Sequence, residues 1–246
     1  KNNTKRIQEN DDSLTLKFDA VVTEWKLSTS NAQQVNLSTK REVLRIGVPS
    51  NELSIKQMSF NPFTKSWNDG FGLLYIALNG EEKWQKSLYS GVLLRINPAK
   101  FGLRSFTVPT SNPYIKDNSI KDEIYLLGGQ KIKQFIWPNK SDDDILLSHQ
   151  YQNKNLLSLT SAKNDWRSTY PKKILYQGEH VVKDVLLYRG TKLSNLRNKI
   201  LLLMQVNQQW SIESLNALPS IDANILAEYK LVQEWPFPSA QLTYDS

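Results

Sequence analysis

Apolar residues in this chain come in short runs or alternate with polar ones. FGLLYIAL, EIYLLGG, DVLLYRG and KILLLMQV are typical. Each run is one strand long and is bounded by Gly, Pro, Asn, Asp or Ser, while apolar residues at helical spacing are scarce. The pattern predicts about fifteen strands, from Thr15–Leu27 at one end to Ile225–Glu234 at the other. Those between include Glu42–Gly47, Leu53–Phe60, Gly91–Asn97, Arg104–Val108, Glu123–Leu127 and Ile132–Trp137. The turn signals NPFTKSWNDG, LNGEE, PNKSDDD, QNKN and YRGT separate them. Many short strands at this spacing make an all-β sandwich, barrel or propeller. A weak repeat, a strand and a polar turn followed by a strand ending in an aromatic residue, favours the β-propeller, built from four-stranded antiparallel blades.

One stretch, GVLLRINPAKFGLRSFTVPTSNPY from Gly91 to Tyr114, is dense in turn chemistry and holds no obvious catalyst. Pro98 ends its strand because it has no N–H for the ladder. Pro109 and Pro113 stiffen the corner that follows. This chemistry serves architecture.

Composition narrows the picture. The 246 residues are 39% apolar, enough for a sizeable core. They divide into a polar tail, residues 1–13, expected to be flexible, and one domain, residues 14–246. The net charge is +7, but Lys and Arg are interspersed with Asp and Glu, and no basic helix or aromatic-basic run suggests nucleic acid as a partner. Cysteine is absent, which removes disulfides, thiolate nucleophiles and Cys-based metal sites. No apolar run approaches the ~18 residues of a membrane span.

Several segments occur in a fixed order: LSIKQMSFNPFTKSWNDGFGLLYIALNG, GVLLRINPA, VPTSNPY, EIYLLGG and VLLYRGTKLSNLRNKILLL. Together they resemble the second half of the glucose/sorbosone dehydrogenase family, the soluble PQQ-dependent sugar dehydrogenases. The matched scaffold positions are Asp69, Gly70, Leu74 and Tyr75, then Gly91, Leu94, Arg95, Ile96 and Pro98. Pro109, Asn112 and Pro113 follow, then Ile124, Tyr125 and Gly128, and last Tyr188, Arg189, Gly190 and Leu196. The resemblance implies a six-bladed β-propeller, of which about four blades are recognisable here. It leaves three alternatives open: N-terminal blades on a separate segment, an unusual closure, or a partner chain that closes the propeller. It also implies a periplasmic or extracellular location.

The family's chemistry does not carry over. The position of its general base, a His, falls on Leu53, and the two glycines after it fall on Ile55 and Lys56. The position of the Arg that sits over the quinone falls on Gln130, followed by Lys131 and Ile132. A further Lys is Val92, and a Gly-Asp pair reads Asn79-Gly80. Leu cannot accept a proton and Gln carries no charge. On this alignment Leu53 and Gln130 both face the central channel. No catalytic residue and no metal site is therefore expected. Gln130, Lys131, Lys56 and Asn79 are the candidate ligand-binding residues, and the ligand is a carbohydrate or a protein. The chain reads as a catalytically degenerate propeller acting as a binding module. An active sugar oxidoreductase with a diverged site, using PQQ and Ca²⁺, and a structural or assembly module are the alternatives. His149 and His180 read as surface or strand-end residues. Asp142, Asp143 and Asp144 read as a solvated turn. Trp67, Trp84, Trp137, Trp166 and Trp235 are candidates for a carbohydrate groove, against the more common use of Trp in packing.

Overall fold

The structure is a computed structural model that describes residues 15–29, 33–84, 86–138, 144–162, 164–167, 169, 171, 173–206, 209–215 and 229–234. The predicted tail, Asp142, Asp143, Trp235 and the start of the last predicted strand lie outside the described residues.

The described chain is built from strands, with two short 3-10 turns at Glu82–Trp84 and Ser194–Leu196. A hairpin comes first, β1 (Phe18–Leu27) with β2 (Val35–Val48). Blade I is the antiparallel meander β3 (Ile55–Phe60), β4 (Leu74–Leu78), β5 (Leu93–Ile96) and β6 (Ile124–Leu127). Blade II holds β7 (Gln130–Ile136), β8 (Ile145–Tyr151), β9 (Lys154–Thr160) and, after the two-residue β10 (Asn164–Asp165), β11 (Lys173–Gly178). Blade III is β12 (Val181–Leu187), β13 (Ile200–Val206), β14 (Gln209–Leu215) and β15 (Tyr229–Glu234). The sequence predicts about four antiparallel four-stranded blades, and the described residues form three of them and a two-stranded hairpin.

Strand alternation explains how the blades stack. In β4, Leu74, Ile76 and Leu78 pack with Val22, Leu44 and Ile46 of the hairpin. Leu73, Tyr75 and Ala77 face the other way and pack with Phe135, Ile145 and Leu147 of blade II. The opposite face of blade II carries Leu146, Leu157 and Leu159 against Val182, Leu202 and Met204 of blade III. A period of two thus builds a separate core on each side of a sheet.

Three details depart from the sequence pattern. Arg104–Val108 is not a strand: only the isolated bridges Asn97–Thr107 and Phe101–Arg104 form. The segment lies between Pro98 and Pro109 as a loop, and Arg41 fastens it by donating from Nη1 to Ser105 O at 2.6 Å and from Nη2 to Pro98 O at 2.8 Å. β2 begins earlier than predicted because residues 35–41, mostly polar, carry the hairpin on to the end of β1. They are largely exposed, Val35 and Leu37 included, so no buried face announces them. β10 runs parallel to β6, and Trp166 N donates to Leu127 O at 3.0 Å. It clasps a blade II connection onto blade I.

Candidate functional site

The first strand of each blade, β3, β7 and β12, adjoins its counterpart in the next blade, and side-chain amides stitch them together. Gln57 on β3 donates from Nε2 to Phe135 O at 2.9 Å and accepts from Phe135 N at 2.6 Å. Gln134 on β7 accepts from Val185 N on β12. The inner strands are thus cross-braced directly, blade to blade.

Each inner strand also carries a β-bulge. In β3, Ile55 pairs with Leu78 and Gln57 with Ala77, which leaves Lys56 as the extra residue. In β12, Val182 pairs with Met204 and Asp184 with Leu203, which leaves Lys183. In β7, Gln130 pairs with Gln150 and Gln134 with Ser148, so the ladder skips the Lys131–Lys133 segment. Lys131 has a φ of 43°, in the left-handed region that a branched or long side chain seldom occupies. Half-burial lowers the Lys133 pKa, and the charges of Lys183, Lys56 and Lys131 lower it further, against a partial offset from Glu81. The Gln57–Phe135 and Gln134–Val185 bonds set the three bulges side by side, so the four lysines share one neighbourhood.

Beside them lies a cavity of about 180 Å³ lined by Glu81, Gln130, Tyr151, Gln152, Trp166 and Arg167, among others. A junction of glycines forms its floor. Gly129 N donates to Gly91 O at 2.7 Å, and Lys131 N to Gly80 O at 2.8 Å. A Cβ on Gly91, whose φ is +64°, would sit 1.6 Å from Gly129 O. Backbones that close exclude any side chain.

The ligand candidates read from sequence come together in part. Gln130 lines the cavity. Lys131 is tied through its backbone to Gly80, next to Asn79. Lys56 belongs to the lysine group. Asn79 braces the turn through Nδ2 to Glu52 O at 3.0 Å, and its Oδ1 is buried without a hydrogen-bond partner among the described residues. Leu53 is elsewhere. It is fully buried in the cluster that the hairpin shares with blade I, alongside Leu44, Leu78 and Val92, and it does not line the cavity that Gln130 lines.

His149 is not at the surface. It is 2% exposed, stacked on Trp166 with ring centroids 4.7 Å apart. Its Nδ1 donates to Gln150 O at 3.1 Å, and Nε2 accepts from the Ser158 hydroxyl at 2.9 Å. The carbonyl can only accept, which fixes the neutral tautomer. Burial holds its pKa down at about 4. Trp137 and Trp166 are buried in the core between blades I and II, and Trp166 also borders the cavity, whereas Trp67 is 75% exposed beside Lys65. Among the described residues no three His, Asp or Glu side chains are grouped to hold a metal. The inner-strand bulges are what sequence reading missed, because a bulge leaves no mark on polarity.

No protein-family model and no curated protein matches this sequence. Solved structures do match. A glucose dehydrogenase structure aligns with a TM-score of 0.60 at 15% identity, over 87% of this chain and 60% of its own. A second glucose dehydrogenase gives 0.61 at 14% identity, over 86% and 63%. The soluble aldose sugar dehydrogenase of Escherichia coli in its apo form gives 0.56 at 14%, over 87% and 63%. The fold is that of the sugar-dehydrogenase β-propellers. The chain spans about three fifths of the length of these structures.

Proposed function

We infer that this chain is a catalytically degenerate sugar-dehydrogenase-like propeller, and that it binds a ligand at the mouth of its inner strands instead of oxidising a sugar. The observation that carries this reading is the placement of Leu53. The residue that takes the family's base position by resemblance has no proton acceptor and is fully buried among apolar side chains. A base restored there would have no route to a substrate.

The surroundings support the same reading. A flat quinone needs open backbone and a charge-stabilising partner, and the residues present do not fit it. The position matching one family glycine is the bulged Lys56. The position matching the family Lys is Val92, fully buried in the same apolar cluster as Leu53. Gln57, next to Lys56, is committed to the Phe135 backbone on both sides of its amide. What remains is a polar cavity with Gln130, Gln152 and Tyr151 on its wall and Trp166 beneath. Such a wall offers hydrogen bonds and an aromatic surface, which suit recognition of a small polar ligand.

The test is a dye-linked glucose oxidation assay on the chain after incubation with PQQ and Ca²⁺. The expected result is no turnover above the buffer blank. Turnover that Gln130→Ala abolishes would overturn the reading.

A further inference from the structure

The bulges of the inner strands point to the chemistry of the ligand. The innermost strand of each of the three blades breaks its ladder, and the residues at the breaks include Lys56, Lys183, and Lys131 with Lys133. A bulge re-aims a side chain at the cost of ladder hydrogen bonds. Coincidence of bulge and lysine on three adjoining strands concentrates four ammonium groups. None of the four forms a salt bridge among the described residues. Three arginines elsewhere differ: Arg41, Arg45 and Arg167 each pair with a carboxylate. The backbone at Lys131 is held in the left-handed region, a local strain that persists only where surrounding structure enforces it. Like charges gathered at bulged positions are unfavourable for the free protein, and an anion would reverse the sign of that interaction.

We propose that Lys56, Lys131, Lys133 and Lys183 form a binding site for a phosphate-bearing small molecule at the mouth of the inner strands. The proposal rests on the reading above that this mouth binds and does not oxidise. Phosphate is favoured over carboxylate by the donor set. A planar carboxylate is matched by the fork of an arginine, whereas lysines act as point charges that can approach a tetrahedral phosphate from several sides. Here the charges come from three strands on three blades. Gln130 and the cavity beside Lys131 would take the uncharged remainder of the molecule.

Calorimetric titration of the full chain at constant ionic strength tests the site, with inorganic tripolyphosphate, glucose 6-phosphate and neutral glucose as probes. One molecule of a phosphate-bearing probe should bind per chain. The double variant Lys133→Gln, Lys183→Gln should weaken it at least about tenfold, because each charged hydrogen bond lost is worth a decade or more. The exposed pair Lys100→Gln, Lys154→Gln should leave binding unchanged. Thermal unfolding of all variants shows that they remain folded. Tighter binding of glucose 6-phosphate identifies a sugar phosphate as the source, and tighter binding of tripolyphosphate identifies an inorganic polyphosphate. Equal losses in both lysine pairs, or no binding of either phosphate probe, overturn the proposal. Glucose binding that depends on Gln130 but not on the lysines overturns it as well, and leaves the ligand-binding reading standing. Sugar turnover in the dye-linked assay would instead remove that reading.

Discussion

Two places in this molecule bring cations out of bulk water, and they treat them in opposite ways. At the corner after β5, Arg95 is 6% exposed and Asn112 is 4% exposed. Arg95 donates from Nε to Asn112 Oδ1 at 2.7 Å and from Nη2 to Ser111 Oγ at 3.0 Å. Its guanidinium lies 4.7 Å from the centre of the Tyr125 ring. Asn112 in turn donates to the carbonyls of Arg95 and Asp122, at 2.9 and 2.8 Å. Among the described residues no carboxylate pairs with this buried charge, yet it has acceptors and an aromatic face around it. At the inner-strand mouth four lysines stand close together, and Glu81 offsets only part of the charge around Lys133. The corner is closed on itself and therefore architectural. The mouth gathers like charges, and on the proposal above a bound anion balances them.

The largest expected effect breaks the corner. Asn112→Ala removes the acceptor of Arg95 Nε and both donors to the two carbonyls, and leaves a buried guanidinium short of a partner. Stability should fall by about 3 kcal/mol, the cost of stranding buried polar groups. Urea unfolding measures it. A loss near zero would mean that water replaces the Asn112 contacts and that the corner is no more closed than the mouth.

His149 provides a second closed site and a pH test of the same idea. Its folded-state pKa, about 4, lies below that of a free His. As the pH falls below about 6.5 the unfolded chain takes up a proton that the folded chain refuses, so stability declines until the pH nears 4. The shift corresponds to a loss of up to about 3 kcal/mol across that window, and less in practice if the fold relaxes. Burial raises the Glu213 carboxyl, which acts in the opposite sense as pH falls towards its unfolded value. The comparison that isolates His149 is therefore the native chain against His149→Gln, with urea midpoints at pH 7 and pH 5. The variant should lose less stability on acidification. Equal slopes would show that His149 is hydrated in the folded state.

The contrast also explains what the sequence disclosed. The corner was legible because Pro98, Pro109 and Pro113 restrict the backbone in ways that the residue names declare. Blade order was legible because runs such as Leu74–Leu78 are apolar on both faces, as a strand sandwiched between two cores must be. The mouth was only half legible. Gln130, Lys131 and Lys56 stood out as departures from the family pattern, but Lys133 and Lys183 did not, because nothing in a polar-apolar string marks a bulge. The packing of Leu53 was hidden for a related reason. Its neighbours are set by how the hairpin packs on blade I, and no local pattern encodes a contact made across two sheets. His149 looked like a strand-end residue because its cover, Trp166, arrives from the connection that holds β10.

A smaller effect sharpens the electrostatic side of the comparison. Lys133→Gln removes one of four like charges, so the folded chain should be stabilised slightly, by no more than about 0.5 kcal/mol after solvent screening. The gain should shrink as NaCl is raised towards 1 M, where the screening length falls to about 3 Å. Thermal midpoints at low and high salt provide the measurement. A destabilised variant at both salts would mean that Lys133 has an acidic partner, and the mouth would then be closed like the corner.

The smallest effect concerns the backbone at Lys131, and here the sign carries the information. Glycine normally costs stability relative to alanine, because the unfolded chain gains freedom. At a φ of 43° the order should reverse, since a Cβ is strained in the left-handed region and glycine is not. Lys131→Gly should therefore be more stable than Lys131→Ala by a few tenths of a kcal/mol up to about 1 kcal/mol. At Lys133, two residues further along the same bulge and outside the set of positive-φ residues, alanine should be the better substitute. Both pairs lose the same charge, so electrostatics cancels within each pair and only backbone conformation is compared. If alanine is better at both positions, the bulge does not hold Lys131 in the left-handed region, and that lysine is presented to the mouth by side-chain freedom and not by the strand.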